Sequence, residues 1–451
     1  MNITSNFGLQ IATVAASVLL AGWLGFRMER LLEKEPGTRE DLAAKRSFCW
    51  NMVGRSLMDA SYFMLGFTVF RFHAEYLGAP VWFTPLYLGI IVFTQGIGSL
   101  LWGAIADRYG RRKLLLIIGC SLTCILMAPM PFVGLIPFLI LSILQVLCIG
   151  STRIPFALAS EWIPKHSGEA IGLMHATGWM LAVGLGAVAG GVYSDHGLIP
   201  VAIIAILFYA TAVICFLKMT GDIVEQKKVS SQLKVKNIFA FNSRWPVLII
   251  GVILLISIPR GAIVLNSINY IEKIGFDLEF LFILEAWALA LNVILFTYAG
   301  VICDKFGSEK VLTASALIYF VLWALFAIGM PTYISVAIYL IPVVGLLYTS
   351  SDTILARHTT IEERNRGIGM AAAAVFIGQS IGSAITSGIM AVLDSSQGGF
   401  FGMIPANAEE QYLWSFRLFV PILAIATICG WKLTQMMAAE SEIQDAIIES
   451  D

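Results

Sequence analysis

Among the ionisable residues inside long apolar stretches of this 451-residue chain are Arg55, Asp59, Arg153, Arg260, Glu285 and Asp352. A charge in a membrane-length apolar segment is costly and marks a substrate, ion or proton pathway. The three arginines outnumber the two aspartates, which leaves one positive charge over. A guanidinium fork suits carboxylate or phosphate, so the pattern points to binding of a small anion. Low-dielectric surroundings favour the protonated form of a carboxylate. Asp59 is therefore the first candidate proton carrier, and Glu285 is a second. Other readings stand beside these. Arg55 and Asp59 are four residues apart and can neutralise each other on one helix face. Asp352 falls nearer one end of its segment and can belong to a gate. His175, Gln95, Asn292 and Gln379 lie in flanking segments, where a tertiary hydrogen bond explains them equally well.

Several chemistries are absent. No GxxxxGK[ST] loop is present to cradle ATP phosphates, and no HExxH pair to hold zinc. The seven cysteines all fall in or beside apolar segments without a CxxC pair, so they read as small buried hydrophobes. A net charge of −1 gives no field for nucleic acid. Catalysis, a metal and a cofactor are not expected. The remaining task for buried charges is to move a solute, driven by an ion gradient or downhill.

The elements that position these residues are helices. Hydrophobic residues make up 58% and charged residues 13%, about half the charge of an ordinary globular domain. Thirteen apolar segments of bilayer-crossing length occupy roughly 8–26, 47–72, 81–106, 113–132, 136–160, 168–193, 198–217, 247–271, 278–302, 311–330, 332–355, 367–393 and 413–436. Strict period-2 alternation is absent, which excludes an outer-membrane barrel. Residues 1–7 carry no charge, unlike the basic start of a signal peptide. Segment 8–26 is thus expected to be a retained helix, with an uncleaved leader or a surface helix as alternatives. When the loops alternate sides from the basic 27–46 linker, 23 of the 29 basic residues fall on one side, and Arg55, Arg153 and Arg260 lie within the segments themselves. Only Arg71, Lys273 and Arg417 fall on the other. This asymmetry predicts the N-terminus outside and the C-terminus in the cytoplasm.

The chain repeats itself. Residues 103–113 read GAIADRYGRRK and residues 300–310 read GVICDKFGSEK; AIGLMHA (170–176) stands opposite GIGMAAA (367–373). Gly103 with Gly300, Asp107 with Asp304, Gly110 with Gly307 and Gly172 with Gly369 all share an offset of 197. One ungapped offset at two separate places signals duplication. It maps six segments in 47–217 onto six in 247–440 and leaves 1–30 outside. The polar stretch 218–246 links the halves, and 441–451 is an acidic tail. The same offset sets Arg260 opposite Phe63, so the halves differ where the charges lie.

The loop G-x-x-x-D-R-x-G-R-R-K between the second and third helices of a six-helix unit resembles the signature loop of the major facilitator superfamily. The resemblance covers about 47–440. It implies an all-α membrane protein of two six-helix bundles related by a pseudo-two-fold axis, here with one extra N-terminal transmembrane helix. It implies that the first, fourth, seventh and tenth repeat helices line a central cavity, which are the helices carrying Arg55, Asp59, Arg153, Arg260 and Asp352. Arg153 can also be an interhelix link, as in some members. It further implies a cytoplasmic gate built from Gly103, Asp107, Arg108, Gly110, Arg111, Arg112 and Glu161, with Gly300, Asp304, Lys305 and Gly307 as the second copy. Asp107 would face the helix starting near Gly367, Asp304 the helix starting near Gly168, and Arg111 would pair with Glu161. Ser308 and Glu309 replace two basic residues, so the second latch is expected to be weaker. Residues 186–191 (GAVAGG) resemble the fifth-helix motif of proton-antiporting drug exporters, with Ala187 where that motif has proline; the same glycines permit close helix packing. The expected function is proton-coupled transport of a small, anionic solute by alternating access in the inner or plasma membrane. The alternatives are a proton-antiporting exporter of amphipathic compounds and a non-transporting component of an assembly, in which helix 8–26 would dock a membrane partner.

Overall fold

The computed structural model of the protein describes residues 3–34, 39–65, 70, 73–74, 76–79, 83–219, 244–276, 278–360, 363–395 and 408–450. Phe63 and the stretch 186–191 have side chains outside the described residues, as does most of the 218–246 link. The regular elements are helices α1 (Ile3–Glu33), α2 (Arg39–Leu65), α3 (Phe83–Tyr109), α4 (Arg112–Met127), α5 (Leu135–Ile149), α6 (Ile154–Trp162), α7 (Ser167–His196) and α8 (Leu198–Leu217). The second half supplies α9 (Trp245–Lys273), α10 (Leu278–Phe306), α11 (Ser308–Ala327), α12 (Thr332–Leu340), α13 (Val344–His358), α14 (Arg364–Ser395) and α15 (Ala408–Ser450). Helix is the form that satisfies every backbone group of an apolar segment in lipid. Among the described residues ten helices are long and apolar enough to cross a membrane. Their outward faces carry exposed aliphatic side chains such as Ile125, Ile136, Leu207, Ile214, Leu418 and Ile428. Such a surface suits lipid rather than water.

Two segments expected to be continuous are broken. The span at 136–160 divides into α5 and α6 around a 3₁₀ turn, Gly150–Arg153, with Pro155 at the start of α6. The ring of Pro155 removes a helical hydrogen bond and crowds the preceding turn. Arg153 consequently sits at the break. The span at 332–355 divides at Ile341, whose backbone is extended just before Pro342, as residues preceding proline tend to be. The 441–451 stretch also differs from a free tail, since the α15 backbone stays helical to Ser450.

The halves meet along two seams, α3 against α14 and α7 against α10. The repeat offset carries α3 onto α10 and α7 onto α14, so it exchanges the two seams, as a two-fold axis would. The glycines that betrayed the repeat are what lets these helices touch. A Cβ on Gly103 would lie 2.7 Å from the Asn365 carbonyl, and one on Gly369 would lie 2.7 Å from the Ser99 carbonyl. On the other seam Gly172 faces the Phe296 carbonyl at 2.5 Å, and Gly300 faces the Gly168 carbonyl closer still. Any side chain there would part the backbones, which is the small-residue logic of membrane helix packing.

Candidate functional site

Midway along the helices a cluster of buried charges gathers between the halves. Arg55 and Asp59 lie one turn apart on α2, both almost fully buried, and Arg55 Nη1 donates to Asp59 Oδ1. The other oxygen, Asp59 Oδ2, lacks a hydrogen-bond partner and is packed against the bare backbone of Gly178 on α7. Arg153, placed by the 3₁₀ break, has its guanidinium within electrostatic reach of this pair. Across the seam its Nη1 lies 3.5 Å from Asp352 Oδ2 on α13, a charge contact rather than a good hydrogen bond. The same oxygen is 2.9 Å from His175 Nε2 on α7. Asp352, from the second half, is therefore held by two residues of the first.

Arg260 differs from the other two arginines. It follows Pro259 inside α9 and is 7% exposed. Its Nη1 donates to the Tyr348 hydroxyl at 3.3 Å, and its guanidinium lies 5.1 Å from the Tyr348 ring centre. Tyr319 lies beside it, while Arg260 Nε has no hydrogen-bond partner. Its partners are neutral; among the described residues no carboxylate pairs with it. The excess positive charge read from the sequence thus resides at a definite place, next to tyrosine hydroxyls.

Aromatic rings enclose these charges. His175 lies 4.3 Å from Phe156 and stacks on Phe296 at 4.9 Å, while Trp179 meets Phe296 edge-on at 5.0 Å. Phe376 is 5.1 Å from the Arg153 guanidinium, and Tyr348 is 5.8 Å from it. Sequence reasoning named the charges and missed this lining. The signal was present: Tyr348 is one turn before Asp352, Trp179 one turn after His175, and Phe156 three residues after Arg153. The structure does not bring Glu285 into the cluster. It lies half-buried on α10, roughly 16 Å along the axis from Phe296 at ~1.5 Å per residue.

A second set of contacts closes the seams at the end carrying the basic loops. Asp107 accepts hydrogen bonds from the Arg366 amide and the Asn365 side chain, both at 2.7 Å, at the start of α14. Asp304 accepts from the amides of Gly168 at 3.0 Å and Glu169 at 2.8 Å, at the start of α7. A carboxylate at a helix N-terminus meets free amides and the positive end of the dipole. Gly110 and Gly307 close the two loops with φ of 63° and 93°, a backbone region that glycine enters at no steric cost. Arg357 also contacts Asp304.

One expected pairing is corrected. Glu161 is bonded by Arg112, not by Arg111. After the Gly110 turn, Arg111 becomes the exposed residue preceding α4, while Arg112 is its first helical residue and turns inward, 6% exposed. Arg108 and Lys305 are exposed and lie over Tyr109 and Phe306, their own neighbours. At the positions 197 further on, Glu309 and His358 stand where the first half has Arg112 and Glu161, so an acid takes the place of the base.

Comparison with known proteins agrees with this architecture. The sequence profile of the Major Facilitator Superfamily matches residues 52–341 and 282–446. The multidrug resistance protein MdtG of Salmonella typhimurium is 29% identical over 292 residues, covering 61% of this chain and 70% of MdtG. The crystal structure of the human organic anion transporter MFSD10 (TETRAN) superimposes with a TM-score of 0.69 at 10% identity, over 88% of this chain and 100% of that one. A bacterial homologue of the iron transporter ferroportin, in an outward-facing state, gives 0.62 at 12% identity, over 86% and 99%. The chain belongs to the major facilitator superfamily: it is an integral membrane transporter, not an enzyme.

Proposed function

We propose that this protein is a proton-coupled secondary transporter of small amphipathic organic anions. In this reading it sits in the cell membrane with its N-terminus outside and its basic loops in the cytoplasm, and it works by alternating access. The observation that carries the substrate class is Arg260, buried midway along α9 and contacted, among the described residues, by tyrosine hydroxyls and no carboxylate. A buried cation without a counter-charge is costly, and an incoming carboxylate or sulfonate would relieve that cost with charge-assisted hydrogen bonds. The rings of Phe156, Trp179, Phe296, Tyr348 and Phe376 would cover the apolar body of such a ligand. The description of MdtG as a multidrug resistance protein and of MFSD10 as an organic anion transporter is in keeping with the apolar and the anionic parts of this reading.

For coupling, the geometry favours Asp352 over Asp59. Asp352 is gripped from the opposite half by Arg153 and His175, so a proton on this group weakens a link between the halves. Asp59 pairs within its own helix, so its protonation frees Arg55 without touching the seam directly. The basic-end contacts of Asp107, Asp304 and Arg112 then act as the inner gate.

The test uses purified protein in liposomes and 1-anilinonaphthalene-8-sulfonate, a fluorescent aromatic sulfonate. Removing a hydrogen bond to a charged group costs about 1.5–3 kcal/mol, so Arg260→Gln should weaken probe binding about 10- to 100-fold. Unchanged probe affinity in Arg260→Gln would remove the anion reading. Probe accumulation that persists after collapse of the pH gradient would remove the proton coupling. A second reading, export of amphipathic compounds whatever their charge, is supported by the aromatic lining. It predicts that a neutral amphipathic dye is carried equally well by Arg260→Gln.

A further inference from the structure

The superfamily plan of two six-helix halves leaves α1 without a role. One stripe of it, carrying Trp23, Leu24, Arg27, Leu31 and Lys34, nevertheless packs against one seam. Arg27 Nη2 donates to Glu169 Oε1 at 2.9 Å, and Lys34 Nζ donates to Glu169 Oε2 at 2.7 Å. The two cations are seven residues apart, two helical turns, so both reach one carboxylate. Glu169 is only 3% exposed. On the same stripe Leu24 and Leu31 are buried. Trp23 packs 6.1 Å from Tyr298, and the Arg27 guanidinium lies 5.9 Å from that ring.

Glu169 belongs to α7 and the first half, whereas Tyr298 belongs to α10 and the second. Helix α1 therefore bridges the seam. It does so beside the basic-end latch, because the Glu169 amide itself donates to Asp304 Oδ2. One residue joins three helices: its backbone binds α10 and its side chain binds α1. When the start of α7 parts from the end of α10, α1 can follow only one of them, and its contacts with the other must break. The bridge also has a physical reason to be cationic. Without Arg27 and Lys34, the buried Glu169 carboxylate would lose both of its cationic partners, and an unpaired buried charge is costly.

Among the described residues the arrangement occurs on one seam. At the position 197 further on, Arg366 replaces Glu169 and pairs locally with Glu363. The strapped seam is the one whose loop has lost two basic residues to Ser308 and Glu309. We propose that α1 is a strap across the α7–α10 seam, and that Glu169 is the positioning residue that fastens it and sets how often the basic end is closed. This rests on the alternating-access reading.

The test is a spin-label distance measurement between cysteines at the exposed positions Lys165 and Lys305, on opposite sides of that seam, in full-length protein lacking the native cysteines. Glu169→Gln, and separately Arg27→Gln with Lys34→Gln, should lower the closed-to-open ratio about tenfold, within the usual range of coupling between two states. The exchanged pair Arg27→Glu with Glu169→Arg should restore part of the closed population, which a purely structural role would not do. Should Glu169→Gln fail to fold, the Arg27 and Lys34 variant, on more exposed side chains, decides alone. Asp107→Asn on the other seam separates the two ideas. If it opens the basic end while the strap variants leave the distances unchanged, the strap is overturned. If none of the variants moves the distances, alternating access about these seams is overturned with it.

Discussion

Replacing Gly300 with alanine adds one methyl group at the tightest point of the α7–α10 seam. A Cβ built there lies 2.8 Å from Glu169 Cα and 2.8 Å from the Gly168 carbonyl carbon, and closer still to the Gly168 oxygen. All three atoms are backbone, so no side chain can swing aside. Overpacking of this kind costs about 1–3 kcal/mol. Gly168 belongs to the first half and Gly300 to the second, so the strain falls on the contact between the halves, and opening the seam relieves it. With about 1.4 kcal/mol for each factor of ten, the closed-to-open ratio should fall roughly 5- to 150-fold. The assay is the distance distribution between labels at Lys165 and Lys305, read in detergent and in lipid nanodiscs. Gly251→Ala is the control, because a Cβ at that position meets nothing within 4 Å. There the gain in helix propensity, up to about 1 kcal/mol, should leave the distances unchanged. If Gly300→Ala matches wild type and the control, the seam is not the surface that opens.

Further outcomes follow from the same geometry. Asp107→Asn keeps the shape but removes the charge at the start of α14; it should destabilise the closed basic end by about 0.5–2 kcal/mol, read as a shorter closed-state dwell time in single-molecule fluorescence. Arg112→Ala leaves buried Glu161 unpaired and should lower stability by about 3–5 kcal/mol; adding Glu161→Ala should recover much of it in thermal melts, and a double variant no better than the single would contradict the pairing. Gly110→Ala forces a φ of 63° on a residue with a side chain and should cost about 1–2 kcal/mol, measurable as a lowered melting temperature. Tyr348→Phe removes one of the two tyrosine hydroxyls beside Arg260; probe affinity should change by about fivefold, following a hydrogen bond worth about 1 kcal/mol.

Much of the architecture was legible in the residues themselves. Apolar runs of bilayer length can only be helices in lipid, and the ungapped offset between Gly103 and Gly300 exposed the duplication. The buried charges Arg55, Asp59, Arg153, Arg260 and Asp352 were likewise visible, because a charge in an apolar run stands out without any fold. Beyond the Arg55–Asp59 pair, readable from its spacing of four, what they contact was not. The sequence holds three arginines and two aspartates in these runs, but apart from the Arg55–Asp59 pair their partners come from other helices, 88 residues away for Arg260 and Tyr348 and 177 for Asp352 and His175. Only packing shows that Arg153 and His175 both reach Asp352 across the seam, and that Arg260 meets hydroxyls instead of a carboxylate. The register of the basic loop shows the same limit. Arg111 and Arg112 are adjacent and alike in sequence; the turn at Gly110 decides that Arg112 faces Glu161. Helix α1 is the extreme case. Its seven-residue spacing of Arg27 and Lys34 was in plain view, yet its meaning depends on Glu169 lying on another helix, on a seam where the two halves touch. Local sequence determines which helices form, through burial and hydrogen bonding within each segment. Long-range packing alone decides which charge meets which, because that depends on where separate helices come to lie against one another.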